Sequence, residues 1–144
     1  MSKPPLTLLG FDYGTRRIGV ALGQTLTNSA RPLLTLESNN NKPDWDGITK
    51  IISDWQPQIV IVGLPLHMDG TEQEMTQKAR RFGNQLKGRY NLSVEFADER
   101  LTSDEAEHLI QQNTKHSTKK DKKQIDAVAA QLILQSWMSQ TYED

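Results

Sequence analysis

The stretch Leu6-Thr7-Leu8-Leu9-Gly10-Phe11-Asp12-Tyr13-Gly14-Thr15-Arg16-Arg17-Ile18-Gly19-Val20-Ala21-Leu22 decides the fold class. Leu6 to Phe11 is short and nearly all apolar, as expected of a strand covered on both faces. Asp12-Tyr13-Gly14-Thr15 supplies a turn, and Ile18 to Leu22 reads as a second strand. Pro32 to Leu36 reads as a third, so the chain opens as an antiparallel meander.

Helical spacing then takes over. Trp45, Ile48, Ile52 and Trp55 recur on one face, and Pro57 ends that helix. Ile59-Val60-Ile61-Val62 is a buried strand closed by Gly63-Leu64-Pro65. Thr71-Glu72-Gln73-Glu74 has the form of a capping box, opening a helix with Met75, Ala79, Phe82 and Leu86 on its apolar face. Leu92, Val94 and Phe96 alternate with Ser93, Glu95 and Ala97, the pattern of an edge strand with one wetter face. A second capping box, Thr102-Ser103-Asp104-Glu105, starts a helix through about Gln111. A lysine-rich loop follows, then a last helix from about Gln124 to Ser139, with Ile125, Val128, Ala129 and Leu132 as its apolar face. Strand–helix–strand–helix–strand implies two right-handed crossovers. The expected product is a three-layer α/β domain with a mixed sheet of about five strands.

The length of 144 residues suits one domain spanning 1–144, since domains run to about 100–200 residues. No run approaches the roughly 18 apolar residues of a membrane span, and the N-terminus lacks signal-peptide architecture. The absence of cysteine excludes disulfides and thiolate metal sites and fits a reducing cytoplasm. A net charge of −1 gives no globally basic surface, so any anionic partner must be met locally. Three basic groupings stand out: Arg16-Arg17, Arg80-Arg81, and Lys115, Lys119, Lys120, Lys122 and Lys123 opposed only by Asp121. A lysine run can also be a solvated face.

Three carboxylates merit chemical attention. Asp12 directly follows the first central strand, where open α/β sheets place their sites, although Asp-x-Gly is also ordinary turn chemistry. Glu99 lies in Asp98-Glu99-Arg100 just past the edge strand, and either acid of that pair can face the site. Asp126 heads a column continued by Ala130, Ile133 and Trp137, so it approaches the sheet unless it merely complements the helix dipole. A buried carboxylate costs several kcal/mol, of order 2–7, unless it is paired or bound to metal. Three carboxylates at one sheet edge raise one another's pKa and call for a cation. An all-oxygen set without His or Cys favours Mg²⁺ or Mn²⁺. Two such ions about 4 Å apart suit phosphodiester hydrolysis. His67, His108 and His116 show no metal-ligand spacing, and Trp45 and Trp55 read as core.

Four blocks in order resemble the YqgF/RuvX family of pre-16S ribosomal RNA nucleases, also described as Holliday-junction resolvase-like. They are Phe11 to Ala21, with Ala30-Arg31-Pro32-Leu33 after it; Ile61 to Leu66, then Met68-Asp69-Gly70-Thr71; Asp98 to Ser103; and Ile125 to Ala130. The resemblance covers nearly the whole chain. It implies an RNase H-like fold and a site built from Asp12, Glu99 and Asp126. It also implies a metal-dependent nuclease acting on structured RNA, the precursor of 16S rRNA above all, with Arg16, Arg17, Lys119, Lys120, Lys122 and Lys123 contacting phosphates. A cytoplasmic monomer or weak dimer is expected. Two departures matter. RuvC-type resolvases carry an acid at the end of the fourth strand, where this chain has Gly63-Leu64-Pro65, and the position of Glu99 substitutes. Many members also have a glycine shortly before the last aspartate, where Lys123 and its neighbours stand here. The alternatives are DNA-junction cleavage and a non-catalytic pre-rRNA-binding assembly factor. A sugar-kinase or actin-like ATPase needs two such domains, and 144 residues are too few.

Overall fold

A computed structural model describes residues 4–101 and 119–142. Its five strands are β1 (Thr7–Tyr13), β2 (Arg17–Gln24), β3 (Ser29–Glu37), β4 (Ile59–Leu64) and β5 (Ser93–Asp98), in the order β3-β2-β1-β4-β5. β1 pairs antiparallel with β2, and β2 with β3; β1–β4 and β4–β5 are parallel. The mixed five-stranded sheet is the one the sequence implied, with β3 and β5 at its edges. β3 begins earlier than expected, at Ser29. Pro32 is accommodated because the β2–β3 register shifts between Val20 and Ala21, and an edge strand tolerates both a bulge and a missing donor.

Helices α1 (Trp45–Trp55) and α2 (Glu74–Tyr90) cover one face of the sheet, and α3 (Lys119–Tyr142) covers the other. Asp44 caps α1 by accepting from the backbone N–H of Gly47, and left-handed Gln56 ends it before Pro57. α2 starts later than its sequence suggested. Its capping box is Gln73 with Thr76, while the Thr71 hydroxyl donates to Asp69 in the preceding turn. Buried Thr76 also donates to the carbonyl of Pro65, so it replaces half-buried Met75 on the inner face. The capping box at Thr102–Glu105, its helix, His108 and His116 lie outside the described residues.

The last helix differs most from its sequence reading. It starts at Lys119, so Lys119, Lys120, Lys122 and Lys123 lie in its first turns and not in a loop. Its buried seam is Ala127, Ala130, Ile133, Leu134 and Met138, whereas Ile125, Val128, Ala129 and Leu132 are half-buried. The reason lies in the strands beneath. Alternation sends Leu9, Phe11, Val20 and Val62 toward α1 and α2, and sends Gly10, Gly19, Ala21, Gly23, Gly63 and Ala97 toward α3. That floor of small side chains selects the helix face on which alanines allow close approach. A β-carbon on Gly19 would overlap the backbone carbonyl of Asp126, and the Leu134 side chain would come within 2.8–3.0 Å of β-carbons on Gly23 and Gly10.

This contact generates a paired prediction. Gly19→Ala forces α3 off β2 against backbone atoms that cannot swing away. It should destabilise the fold by about 3 kcal/mol or more, the upper end of overpacking costs. Gly88→Ala, inside α2 with open space around it, should stabilise by about 0.4–1 kcal/mol. Urea unfolding of both variants checks the pair, and equal effects would refute the close-packing account.

Candidate functional site

β1, β4 and β5 run parallel, so their C-terminal ends share one edge of the sheet. Asp12 lies at the end of β1 opposite Gly19 of β2, and Gly19 is the residue on which the Asp126 backbone rests. β5 runs into a 3-10 turn, Glu99–Leu101. Continuing the alternation of β5, Ala97 and Glu99 face α3 while Asp98 faces away. The same parity puts Leu8, Gly10 and Asp12 of β1 on the α3 side.

The side chains follow. Asp12 and Glu99 share a hydrogen bond, and Asp126 is close enough to act on Asp12 electrostatically. Burial raises the Asp12 carboxyl well above the usual carboxylate range, and the charges of Glu99 and Asp126 add to it. Burial likewise raises Glu99, with a contribution from the Asp98 charge, while the hydrogen bond from Asp12 works the other way. The two carboxyls therefore titrate as a coupled pair, in which a protonated Asp12 would donate to Glu99. Glu99 lies over the end of β4: a β-carbon on Gly63 would come within 2.8 Å of Glu99 Oε1. The missing side chain of Gly63 is thus the space that Glu99 fills.

Asp126 is held differently. Arg17 donates from Nε to Asp126 Oδ2 at 2.6 Å, and both side chains remain partly exposed. Among the described residues no three acids form a ready metal cage, because the third carboxylate is engaged with this arginine. The donor set nonetheless fits a hard divalent ion: two touching carboxylates, a third within electrostatic reach, all oxygen, and a proton that a cation would displace.

Asp98 has another partner. It accepts from the backbone N–H of Arg100 at 2.8 Å and from that guanidinium at 2.7–3.1 Å, while Arg100 also donates to the Met68 carbonyl. These bonds hold Asp98 below the usual carboxylate range. The structure thus brings Asp12 and Glu99 together, sets Asp126 beside them on Arg17, and turns Asp98 away. Arg16 is exposed on the β1–β2 turn. Sequence reasoning did not find the Arg17–Asp126 pair or the Arg100 clamp. The small residues alternating through Gly10, Gly19, Ala21 and Gly23 on the side of Asp12 were the signal for a closely approaching helix.

The raised carboxyl makes a testable claim. A folded-state pKa above the unfolded value of about 3.9 for Asp means stability is fully present below that value. It is lost as pH rises through the folded value. In chelator, the melting temperature should therefore fall as pH rises from about 4, and Asp12→Asn should remove much of that fall. The Asp98–Arg100 pair acts in the opposite sense, below about pH 4, where protonating Asp98 removes its contribution. Identical pH profiles for parent and Asp12→Asn would show that the two acids share no proton.

Comparison with known proteins agrees with this geometry. The family model described as RuvX, Holliday junction resolvase, matches residues 6–140. Relatives from Aeromonas salmonicida (50% identity, 94% of this chain and 96% of the relative) and Nitrosococcus oceani (51% identity, 96% and 90%) are provisionally named pre-16S rRNA nuclease. Two solved structures share the fold. RuvC of Thermus thermophilus with a Holliday junction substrate matches with TM-score 0.57 and 12% identity over 95% of this chain and 96% of that one. Fowlpox virus resolvase with Holliday junction DNA matches with TM-score 0.57 and 14% identity over 96% and 100%. The sheet order, the single-helix face and the family match over nearly the whole length lead to one conclusion: this chain belongs to the RuvX family and has its RNase H-like fold.

Proposed function

We propose that this chain is a metal-dependent nuclease that hydrolyses phosphodiester bonds in structured RNA, processing the 5' end of precursor 16S rRNA in the cytoplasm. The observation that carries the reading is the Asp12–Glu99 contact, with Asp126 beside it at the same sheet edge. Two half-buried acids in hydrogen-bond contact are a poor structural choice unless a cation can replace the proton between them. Asp12, Glu99 and Asp126 are the residues that would hold the ion or ions. Bound Mg²⁺ or Mn²⁺ would supply an activated water and stabilise the leaving oxygen. Arg17 neutralises Asp126 in the absence of metal and, once released, is placed to meet a phosphate. Arg16 and the lysines of the first turns of α3 add positive charge for the polyanion. No helix among the described residues is long and apolar enough to cross a membrane. The names of the relatives support RNA as the substrate. The junction complexes of the fold neighbours favour DNA-junction cleavage as the second reading.

Metal-stripped protein should leave labelled pre-rRNA leader, single-stranded RNA and a four-way DNA junction intact, and Mg²⁺ or Mn²⁺ should restore cleavage of the leader. Preferential cutting of the junction would establish the second reading, and RNA binding without cleavage would make the chain an assembly factor. Asp126→Asn should abolish cleavage and change metal-free stability little, since it removes the repulsion on Asp12 together with a partly exposed ion pair to Arg17. Glu99→Gln should cut activity by orders of magnitude and weaken metal affinity, while Asp98→Asn should cost far less activity. The reverse ranking of these two would make Asp98 the ligand.

A further inference from the structure

The face of the sheet opposite the carboxylates holds a second concave site. A cleft of about 520 Å³ opens between α2 and the turn before α1, and its lining includes Tyr13, Thr15, Lys42, Lys78, Arg81 and Arg89. Four cations line it and no acid does. Lys78, Arg81, Gln85 and Arg89 recur at helical spacing along one stripe of α2. Lys42 stands across from them on a tight turn, where Asn40 and Asn41 take left-handed backbone angles and Asn39 pairs with Lys42. That two-residue hairpin fixes the lysine at the rim.

The pairing of these cations points to an anionic ligand. Of the Arg80-Arg81 doublet, Arg80 is tied to Glu72 at 2.8 Å. Among the described residues Arg81, Arg89 and Lys42 have no acidic partner, and Lys78 has only exposed Glu74 at 3.4 Å. Arg89 is nevertheless ordered, its guanidinium 3.9 Å from the centre of the Trp45 ring. Stacking engages the flat face of the guanidinium and leaves its N–H edges to bind an anion. Phe82 also stacks on Trp45. With Arg89 and Phe82 both against it, that indole is not available to a base, so the cleft's chemistry is directed at phosphates. Its volume is in the range of small-molecule pockets, enough for a short piece of one strand.

From this placement we infer that the cleft binds the sugar-phosphate backbone of a single-stranded stretch of RNA, independently of base sequence. Tyr13 and Thr15 line it one and three residues beyond Asp12, so it begins where the carboxylate edge ends. The inference deepens the nuclease reading by giving the substrate strand a path away from the candidate metal site, and it rests on that reading for the identity of the strand. It is tested without catalysis.

Binding of short labelled single-stranded RNA is measured in chelator across a salt series for the parent, Lys42→Gln/Arg81→Gln, and Lys87→Gln as a control on α2 outside the cleft. Circular dichroism confirms that each variant is folded. The double variant should bind on the order of tenfold more weakly, and its slope of log affinity against log salt should flatten by about 1.4, two contacts at about 0.7 each. Lys87→Gln should match the parent. Unchanged affinity and slope in the double variant, equal losses in the control, or a loss seen with duplex RNA alone would each overturn the assignment. Because no metal is present, failure here leaves the cleavage assay to judge the nuclease reading, and absent cleavage leaves this binding result standing.

Discussion

The close contact between the backbone of α3 and β2 at Gly19 governs how the site is built. Asp12 pairs with Gly19 across the β1–β2 ladder, and the Asp126 carbonyl rests on Gly19, so one absent side chain sets how near Asp126 comes to Asp12. Any larger residue at that point would hold the helix away. The same economy of volume operates at the end of β4, where Gly63 leaves room for Glu99. The site is therefore made of space as much as of carboxylates: backbone meets backbone under Asp126, and a side chain from a neighbouring strand fills the place of a missing one. Burial of Ile133, Leu134 and Met138 along α3 supplies the apolar area that the glycine-lined strands lack.

Gathering acids at one edge has an electrostatic cost, and the metal-free molecule meets it in three ways. Asp12 and Glu99 form a hydrogen bond that a shared proton would support, Asp126 takes Arg17, and Asp98 takes Arg100. These solutions differ in reversibility. The shared proton and the partly exposed Arg17 contact can each be replaced by a divalent cation, since metal binding to carboxylates displaces protons and competes with charged partners. Asp98 is fixed by several bonds to one guanidinium that also holds the Met68 carbonyl, which makes that pair a structural brace between β5 and the turn before α2. The distinction between adjacent acids thus follows from strand alternation and from which one an arginine has claimed.

The sheet was legible in the sequence because its central strands bury both faces and their turns carry Gly, Pro and Asp at the right intervals. The meander, both crossover helices and the edge position of β5 follow from that pattern. The capping of α2 was misplaced by two residues because two hydroxyls, Thr71 and Thr76, stand near its start, and only the tertiary acceptor at Pro65 decides between them. The buried seam of α3 was misassigned for a deeper reason. Hydrophobicity alone favours Val128 and Leu132, but a floor of Gly and Ala admits Ala127 and Ala130, and no property of the helix by itself reveals that floor. Asp12 and Glu99 were legible as acids at element ends, and Asp126 as an acid heading an apolar column, although α3 begins seven residues before it. Their partners were not, since Arg17 and Asp126 lie 109 positions apart.

Alternation along β1 has one more consequence. Successive residues of a strand face opposite sides, so Asp12 joins the α3 face while Tyr13 stacks on Phe82 under α2. The C-terminal end of this one strand therefore supports a carboxylate cluster on one side and a basic cleft on the other, separated by a single peptide unit. A polyanion approaching the acids alone would be repelled until cations were bound. The four cations of the cleft, Lys42 before α1 and Lys78, Arg81 and Arg89 along α2, would offset that repulsion without entering the carboxylate cluster, where they would compete with a metal for the same oxygens. Placing attraction on the opposite face of the same strand would, on the proposed reading, let the molecule hold a phosphate backbone and leave its acids to a divalent ion.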